Sequence, residues 1–324
     1  MKLLIVTQVV DQNDPVLGFF HRWIEEFAKH YEQVHVICLR EGTHALPENV
    51  TVHSLGKEAG KGKLTYIFRF YSYIWKLRKE YDAVFVHMNQ IYVLLGWPLW
   101  KVFGKKVGLW YTHKSVTIRL RLATLLSNIV FTASKESFRI KTGKLHVMGH
   151  GIDTELFSIN EHKVRGEHLL SVGRLNRTKR HDLAICAAAE AKRELRIIGD
   201  GSERENLESL ADRCGAHVSF LGAKNQEELQ SEYQSTYALI HASETGSLDK
   251  VILEALACGC PVVSTSALED LPIVRVHADT ASIVSALESL SVQGGVESSA
   301  FVRSNHSIEQ LISRIRKLYE KNTP

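Results

Sequence analysis

Thr245-Gly-Ser-Leu-Asp-Lys-Val-Ile-Leu-Glu-Ala-Leu-Ala-Cys-Gly-Cys-Pro-Val-Val-Ser-Thr265 reads as a small polar turn, a short helix and a β-branched strand in direct succession. Ser247 is suited to cap the helix, and Asp249 falls in its first turn, where a negative charge complements the helix dipole. Val251, Leu253 and Ala257 supply apolar faces, and Gly259 with Pro261 stops the helix ahead of the strand. Glu254 breaks the pattern. Flanked by Leu253 and Ala255, it lies close to the apolar stripe, where a carboxylate needs a hydroxyl or a cation as partner. The bland alternative is an ordinary solvated helix acid.

Working outward, Leu169-Leu-Ser-Val-Gly-Arg-Leu-Asn-Arg-Thr-Lys-Arg-His-Asp-Leu-Ala184 gives a buried strand ending at Gly173, a basic loop holding Arg174 and Lys179, and a helix from His181 or Asp182. Leu195-Arg-Ile-Ile-Gly-Asp-Gly201 is another short strand, closed by a turn in which Gly199 and Gly201 allow close backbone approach. His217 to Gly222 and Tyr237 to Ser243 supply two further strands of the same half. The first half repeats the alternation. Lys2 to Gln8, Val34 to Leu39, Ala83 to His87, Lys106 to Tyr111, Ile129 to Ala133 and Leu145 to Met148 are apolar strands, and helical patterns such as Phe19 to His30 separate them. Such alternation implies an α/β architecture with doubly wound parallel sheets, whose ligands gather at the carboxyl ends of the strands. The polar stretch from Asn160 to Gly166 is the expected linker.

The 245–265 stretch resembles the donor-sugar motif of the retaining GT-B glycosyltransferases, in the large family numbered four, where two glutamates stand eight residues apart ahead of an Ala-Met-Ala-Cys-Gly-x-Pro-Val-Val run. The resemblance implies a GT-B fold, two Rossmann-like doubly wound domains facing a central cleft. Residues 1–160 would form the acceptor-side domain, 161–307 the nucleotide-sugar-binding domain, and the amphipathic helix 308–321 would return to the first. The second glutamate falls on Glu254, which by resemblance accepts from the ribose hydroxyls of the donor. The first falls on Gly246, with Glu244 and Asp249 as nearby acids that could take its place. Ser247 and Leu248 complete a Thr-Gly-Ser-Leu-Asp-Lys form of the loop associated with a subset of the family.

By the same resemblance, Arg174 and Lys179 clamp the donor diphosphate, His113 touches the donor sugar, and Gly18, Gly199 and Gly201 lie beside the ligand. The chemistry asks for such cations, because about two negative charges gather on a departing nucleoside diphosphate. The implied activity is metal-independent hexosyl transfer with retention, from a UDP-type nucleotide sugar to a glycan or lipid-linked acceptor, in cell-surface glycan or glycolipid synthesis. No cofactor is expected beyond the donor substrate. Two alternatives are an inactive relative serving as a partner subunit, motivated by Gly246, and a nucleotide-sugar epimerase.

Composition fits an enzyme of two domains, since 324 residues at 44% hydrophobic content can bury two cores of ordinary size. A formal net charge of +4 gives no nucleic-acid signature. The sequence shows no Asp-x-Asp pair and no metal-ligand spacing of its histidines, including His87 and His150. No Gly-x-Gly-x-x-Gly follows the first strand, which argues against a dinucleotide dehydrogenase. The five cysteines fall mostly in predicted strands and helices, as reduced packing residues would in a cytoplasmic protein. Lys57 to Lys79 interleaves basic and aromatic residues, and Trp97-Pro-Leu-Trp100 lies near Lys101, Lys105 and Lys106. That composition suits either peripheral contact with the inner face of a membrane or a buried aromatic helix face.

Overall fold

The computed structural model of the chain describes residues 1–14, 16–244, 248–266, 268, 270–290 and 294–321. It divides into two compact units, one running from Met1 to Gly151 and resuming at Ile308, the other Ile152–Ser307. In the first unit the strands are β1 (Leu3–Val10), β2 (Val34–Glu41), β3 (Val50–Ser54), β4 (Ala83–His87), β5 (Lys106–Trp110), β6 (Ile129–Thr132) and β7 (Leu145–Val147). Its first four helices are α1 (Phe19–His30), α2 (Lys63–Lys76), α3 (Ile91–Val102) and α4 (Ile118–Leu126). The strands form one sheet in the order β3-β2-β1-β4-β5-β6-β7, with every pairing parallel. Continuous apolar runs such as Leu3 to Val6 suit a sheet buried on both faces.

Two cores follow. On one face of the sheet, α1 presents Phe20, Trp23, Ile24 and Phe27, the i, i+3, i+4, i+7 spacing of a helical stripe, onto Leu3, Ile5 and Phe85. On the other, Phe70, Ile74, Tyr92 and Trp100 cover Leu4, Val6 and Val84. Only part of the aromatic content of α2 is core. Phe70 and Ile74 are buried, whereas Leu64, Phe68 and Trp75 stand 84%, 75% and 54% exposed. One side of this helix is therefore buried core and the other is exposed.

The second unit contains β8 (Leu169–Val172), β9 (Leu195–Ile198), β10 (Val218–Phe220), β11 (Ala238–His241), β12 (Val262–Ser264) and β13 (Val274–Arg275). Its helices are α5 (His181–Glu190), α6 (Arg204–Cys214), α7 (Gln226–Ser235), α8 (Lys250–Ala257), α9 (Thr280–Glu288) and α10 (Gly295–His306). The sheet order is β10-β9-β8-β11-β12-β13, again with parallel pairings. The order of both sheets reverses direction at one place, between β1 and β4 in the first and between β8 and β11 in the second. Such points open a crevice at the carboxyl ends of the strands.

Helix α11 (Ile308–Lys321) belongs to the first unit. Ile308, Leu311, Ile312, Ile315 and Tyr319 enter the α1 core, and the Tyr319 hydroxyl donates to Val84 O at 2.7 Å. The division falls between Gly151 and Ile152, ahead of the 160/161 boundary and the 160–166 linker expected from composition. Phe157 explains the shift. It is buried in the second unit's core, while Gln230 and Gln234 donate to Leu156 O and Ser158 O at 2.6 and 2.7 Å.

Gly199 has φ of +134°, and a Cβ there would lie 2.0 Å from Gly173 O; a Cβ on Gly201 would lie 2.4 Å from Leu175 O. The backbone that these glycines admit is thus the chain's own turn after β8. Gly215 is also left-handed, at φ +63°, but has open space around it. Gly199→Ala should therefore cost about 2–4 kcal/mol of stability by clash and strain, and Gly215→Ala only about 1 kcal/mol. Urea unfolding of the two variants checks this, and equal losses would contradict it.

Candidate functional site

The crevice at the switch point of the second sheet lies between the segments that leave β8 and β11. The first is Gly173-Arg-Leu-Asn-Arg-Thr-Lys-Arg180, which makes a tight 3₁₀ turn over Arg177–Lys179 with Asn176 Oδ1 capping Lys179 N–H at 3.2 Å. Arg180 then sits in the left-handed region, φ 52° and ψ 42°, and α5 begins. The second segment runs from His241 through Glu244 to Asp249 at the start of α8.

Side chains and main chain lace the two segments together. Lys179 Nζ pairs with Asp249 Oδ2 at 2.5 Å. Arg180 reaches Glu244 Oε1 at 2.7 Å while its fork also holds Asp182 at 3.0 Å. Glu244 N–H donates to Thr178 O at 2.9 Å. Asp249 Oδ2 also bonds His241 Nε2 at 2.9 Å, and His241 Nδ1 meets Ser264 Oγ at 3.2 Å. Burial alone would raise the Asp249 carboxyl, but the His241 hydrogen bond and the Lys179 charge override it and hold it well below the usual carboxylate range. Beneath the turn, His181 Nδ1 bonds Ser171 Oγ at 2.9 Å. Burial draws the His181 pKa from the ordinary 6.5 to about 4, against main-chain groups of Arg174 and Gly173 that favour the charged form.

The expected site residues fall as follows. Lys179, Glu244 and Asp249 meet at this crevice, and Arg174 stands exposed on the same segment as Lys179. Leu248 is buried in the core beside α8. Glu254 lies on α8, five residues beyond Asp249. It is only 8% exposed and accepts from the Tyr233 hydroxyl at 3.3 Å. Burial raises the Glu254 carboxyl and lowers the ammonium of Lys250 one turn earlier, each opposed by the other's charge. Gly246 and Ser247 lie outside the described residues. The helix start differs from expectation. Asp249 occupies the N-cap position, with no side-chain bond to the helix, because its carboxylate is committed to Lys179 and His241.

Gly18 and His113 belong to the first unit. Gly18 precedes α1, and a Cβ there would meet Asp14 O at 2.6 Å, so glycine is needed by the loop itself. His113 is exposed, with Nδ1 2.9 Å from Ser115 Oγ. His87 is buried at the end of β4, stacked on Phe20 at 3.9 Å. Sequence reasoning passed over Arg180 and His241. The only local signals were a third cation beside Lys179 and a histidine at the end of a strand.

The pattern described as glycosyl transferases group 1 matches residues 153–322, and the glycosyl transferase 4-like pattern matches residues 11–105. The chain belongs to the group 1 glycosyl transferases. A GDP-mannose-dependent alpha-mannosyltransferase of Mycobacterium tuberculosis is 31% identical over 179 residues, 52% of this chain and 44% of that protein. The N-acetylgalactosamine-N,N'-diacetylbacillosaminyl-diphospho-undecaprenol 4-alpha-N-acetylgalactosaminyltransferase of Campylobacter jejuni is 30% identical over 137 residues, 40% of this chain and 37% of that protein. The matched stretches thus span less than half of either relative. The structure of Anabaena Alr3699/HepE in complex with UDP and glucose superposes with a TM-score of 0.76 at 16% identity, covering 99% of this chain and 100% of that one. The two parallel-sheet Rossmann-like units are those of the GT-B class.

The site carries a pH signature. Both Asp249 and His181 have folded-state values below their free ones, so each favours the folded chain at higher pH. The Asp249 share is lost as pH falls below about 4, and the His181 share is lost earlier, between 6.5 and about 4. Urea unfolding should show stability declining from pH 7 to 4, with a shallower decline in His181→Gln. An unchanged slope in that variant would count against the assignment.

Proposed function

We propose that the chain transfers a hexose from a nucleoside diphosphate to an acceptor hydroxyl, with retention at the anomeric carbon. The observation that supports this reading is the segment leaving β8 at the switch point, where Arg174 stands exposed and Lys179 and Arg180 are ion-paired with Asp249 and Glu244 of the segment leaving β11. A diphosphate entering there takes up the Lys179 and Arg174 charges, and fixed cations stabilise its negative charge as the glycosidic bond breaks. His241 and Asp249 position the Lys179 ammonium for that contact. Glu254 accepts from the ribose hydroxyls, one carboxylate oxygen being steadied by Tyr233. His113 contacts the donor sugar, and the acceptor hydroxyl enters on the face the diphosphate leaves, so no protein nucleophile is needed. The chain's own cations replace a metal in this scheme.

A relative named for GDP-mannose and a similar fold solved with UDP support a nucleoside-diphosphate donor. A relative named for a diphospho-undecaprenol substrate supports a lipid-linked glycan acceptor and a role in cell-surface glycan synthesis. Peripheral contact with the inner face of a membrane is part of this reading. The exposed Leu64, Phe68 and Trp75 of α2, beside Lys63, Lys76 and Arg78, support it. Wild-type chain should float with anionic vesicles at low salt, and Leu64→Ser/Phe68→Ser should not; flotation of neither would remove membrane contact from the proposal.

The central experiment offers UDP-, GDP- and ADP-sugars and follows both donor hydrolysis and transfer. Wild type should release nucleoside diphosphate, and its product should keep the donor's anomeric configuration by NMR. Lys179→Ala should lower kcat by more than about tenfold, since losing a charge contact to the transition state usually costs over about 1.4 kcal/mol. Unchanged kcat in that variant, or an inverted product, would overturn the mechanism.

A further inference from the structure

The first unit holds a second cation-rich cavity that the transfer reaction does not use. It has a volume of about 670 Å³ and lies at the amino ends of β5, β6 and β7, under the last turns of α3 and α4. This is the opposite edge of the sheet from His87 and His113. Four lysines line it, Lys101, Lys105, Lys106 and Lys144, and no acid does among the described residues.

These ammonium groups are held in place by neutral acceptors. Lys144 donates to Leu125 O and Ser127 O at 2.7 and 2.8 Å, Lys106 donates to Tyr319 O at 2.9 Å, and Lys105 donates to Tyr81 O. Lys101 rests on the Trp97 ring at 4.8 Å. A plainer reading is that the lysines serve only to offset helix ends. The charges decide against it as a full account. Setting Lys106 and the end of α11 aside, Lys101, Lys105 and Lys144 bring three positive charges against about −0.5 from each of the carboxyl ends of α3 and α4 and one negative charge from Asp82 near Lys105, which among the described residues leaves about +1 in the cavity. Burial lowers the pKa of both Lys105 and Lys106, so the cavity holds charge that it would be favourable to neutralise.

The rest of the lining sets the size and character of an occupant. Asn128 accepts from Val107 N–H through Oδ1 at 2.8 Å, which fixes its amide with the Nδ2 donors left for a ligand. Trp97, Val107, Leu125 and Leu126 add apolar wall. A cavity of this volume falls within the roughly 300–1,000 Å³ range of small-molecule sites and is larger than a bare oxyanion needs. We propose that this cavity binds a phosphomonoester joined to a small organic body, its phosphate among the four ammonium groups and its body against Trp97 and Leu125. The shared chemistry has two sources, a soluble phosphorylated metabolite or the headgroup of an anionic lipid.

The two sources are separated by titrating the full chain with glycerol 3-phosphate by calorimetry, and by sedimenting it with phosphatidylcholine vesicles with and without phosphatidic acid. Binding of either phosphate probe is expected, with glycerol 3-phosphate marking a soluble ligand and selective vesicle binding marking a lipid. Binding should weaken at least about tenfold in Lys101→Ala/Lys105→Ala, because each ammonium lost removes a charge-assisted contact. Lys101→Gln, whose ammonium touches only an aromatic ring, should show a smaller loss in the same direction with the fold intact by circular dichroism. Lys179→Ala should bind as wild type does. Absence of binding to both probes, undiminished binding in the double variant, or an equal loss in Lys179→Ala would overturn the proposal. The test is independent of sugar transfer, so its failure leaves that reading untouched.

Discussion

Lys179 and Asp249 stand 70 residues apart in sequence, and their contact joins the two segments that leave the second sheet where its strand order reverses. A parallel sheet with helices on both faces leaves main-chain groups open at that place, and the segments there have no ladder of their own. The side-chain bridges of Lys179 and Arg180 and the Glu244 to Thr178 main-chain bond supply the missing order. Behind them, Gly199 and Gly201 let the end of β9 lie flat against the turn at Gly173 to Leu175. Had either residue carried a Cβ, the turn would be pushed away, and Arg174 and Lys179 with it. The glycines act on the site through packing, and His181 does the same from below by bonding Ser171 at the end of β8.

Much of this was legible in the sequence because it is local. Apolar runs between helical stripes give eleven of the thirteen described strands, all but the edge strands β3 and β13, and the periodicity of Ile308 to Lys321 marks α11 before any contact is known. Gly-x-Gly after Leu195-Arg-Ile-Ile198 marks a strand end that needs close backbone approach, although the approaching group is a carbonyl of the chain. What was not legible is long-range pairing. Asp249 reads locally as a first-turn helix acid, and Ser247 as the cap; only the fold brings Lys179 and His241 to Asp249 and places that residue at the helix start. The division falls ahead of residue 160 for a related reason. Polar composition suggested a linker, whereas Leu156 and Ser158 are tied down by glutamines more than 70 residues away. The four lysines of the second cavity are likewise spread from 101 to 144, and no periodicity links them.

The charges of the crevice constrain how an anion enters it. Lys179, Arg180 and Arg174 bring three positive charges, and Asp249, Glu244 and Asp182 bring three negative ones, so the segment is close to neutral as it stands. Under the proposed reaction, a diphosphate would therefore not meet a bare patch of cations; it would compete with carboxylates that already hold them. Arg180 is gripped by two acids and Lys179 by one, while Arg174 forms no ion pair among the described residues. The order of availability is thus Arg174 first and Lys179 next, with Arg180 serving to anchor the turn. Asp249 must then do two things: hold Lys179 in place beforehand and yield part of its charge afterwards. A buried carboxylate losing one partner is costly unless another remains. His241 is that second partner, on the same oxygen that Lys179 occupies and backed by Ser264. In the proposed reaction, a histidine behind the lysine–aspartate pair would let the cation turn toward an incoming phosphate without leaving the acid unpartnered. This is a physical reason for a histidine, in place of an apolar residue, at the end of β11.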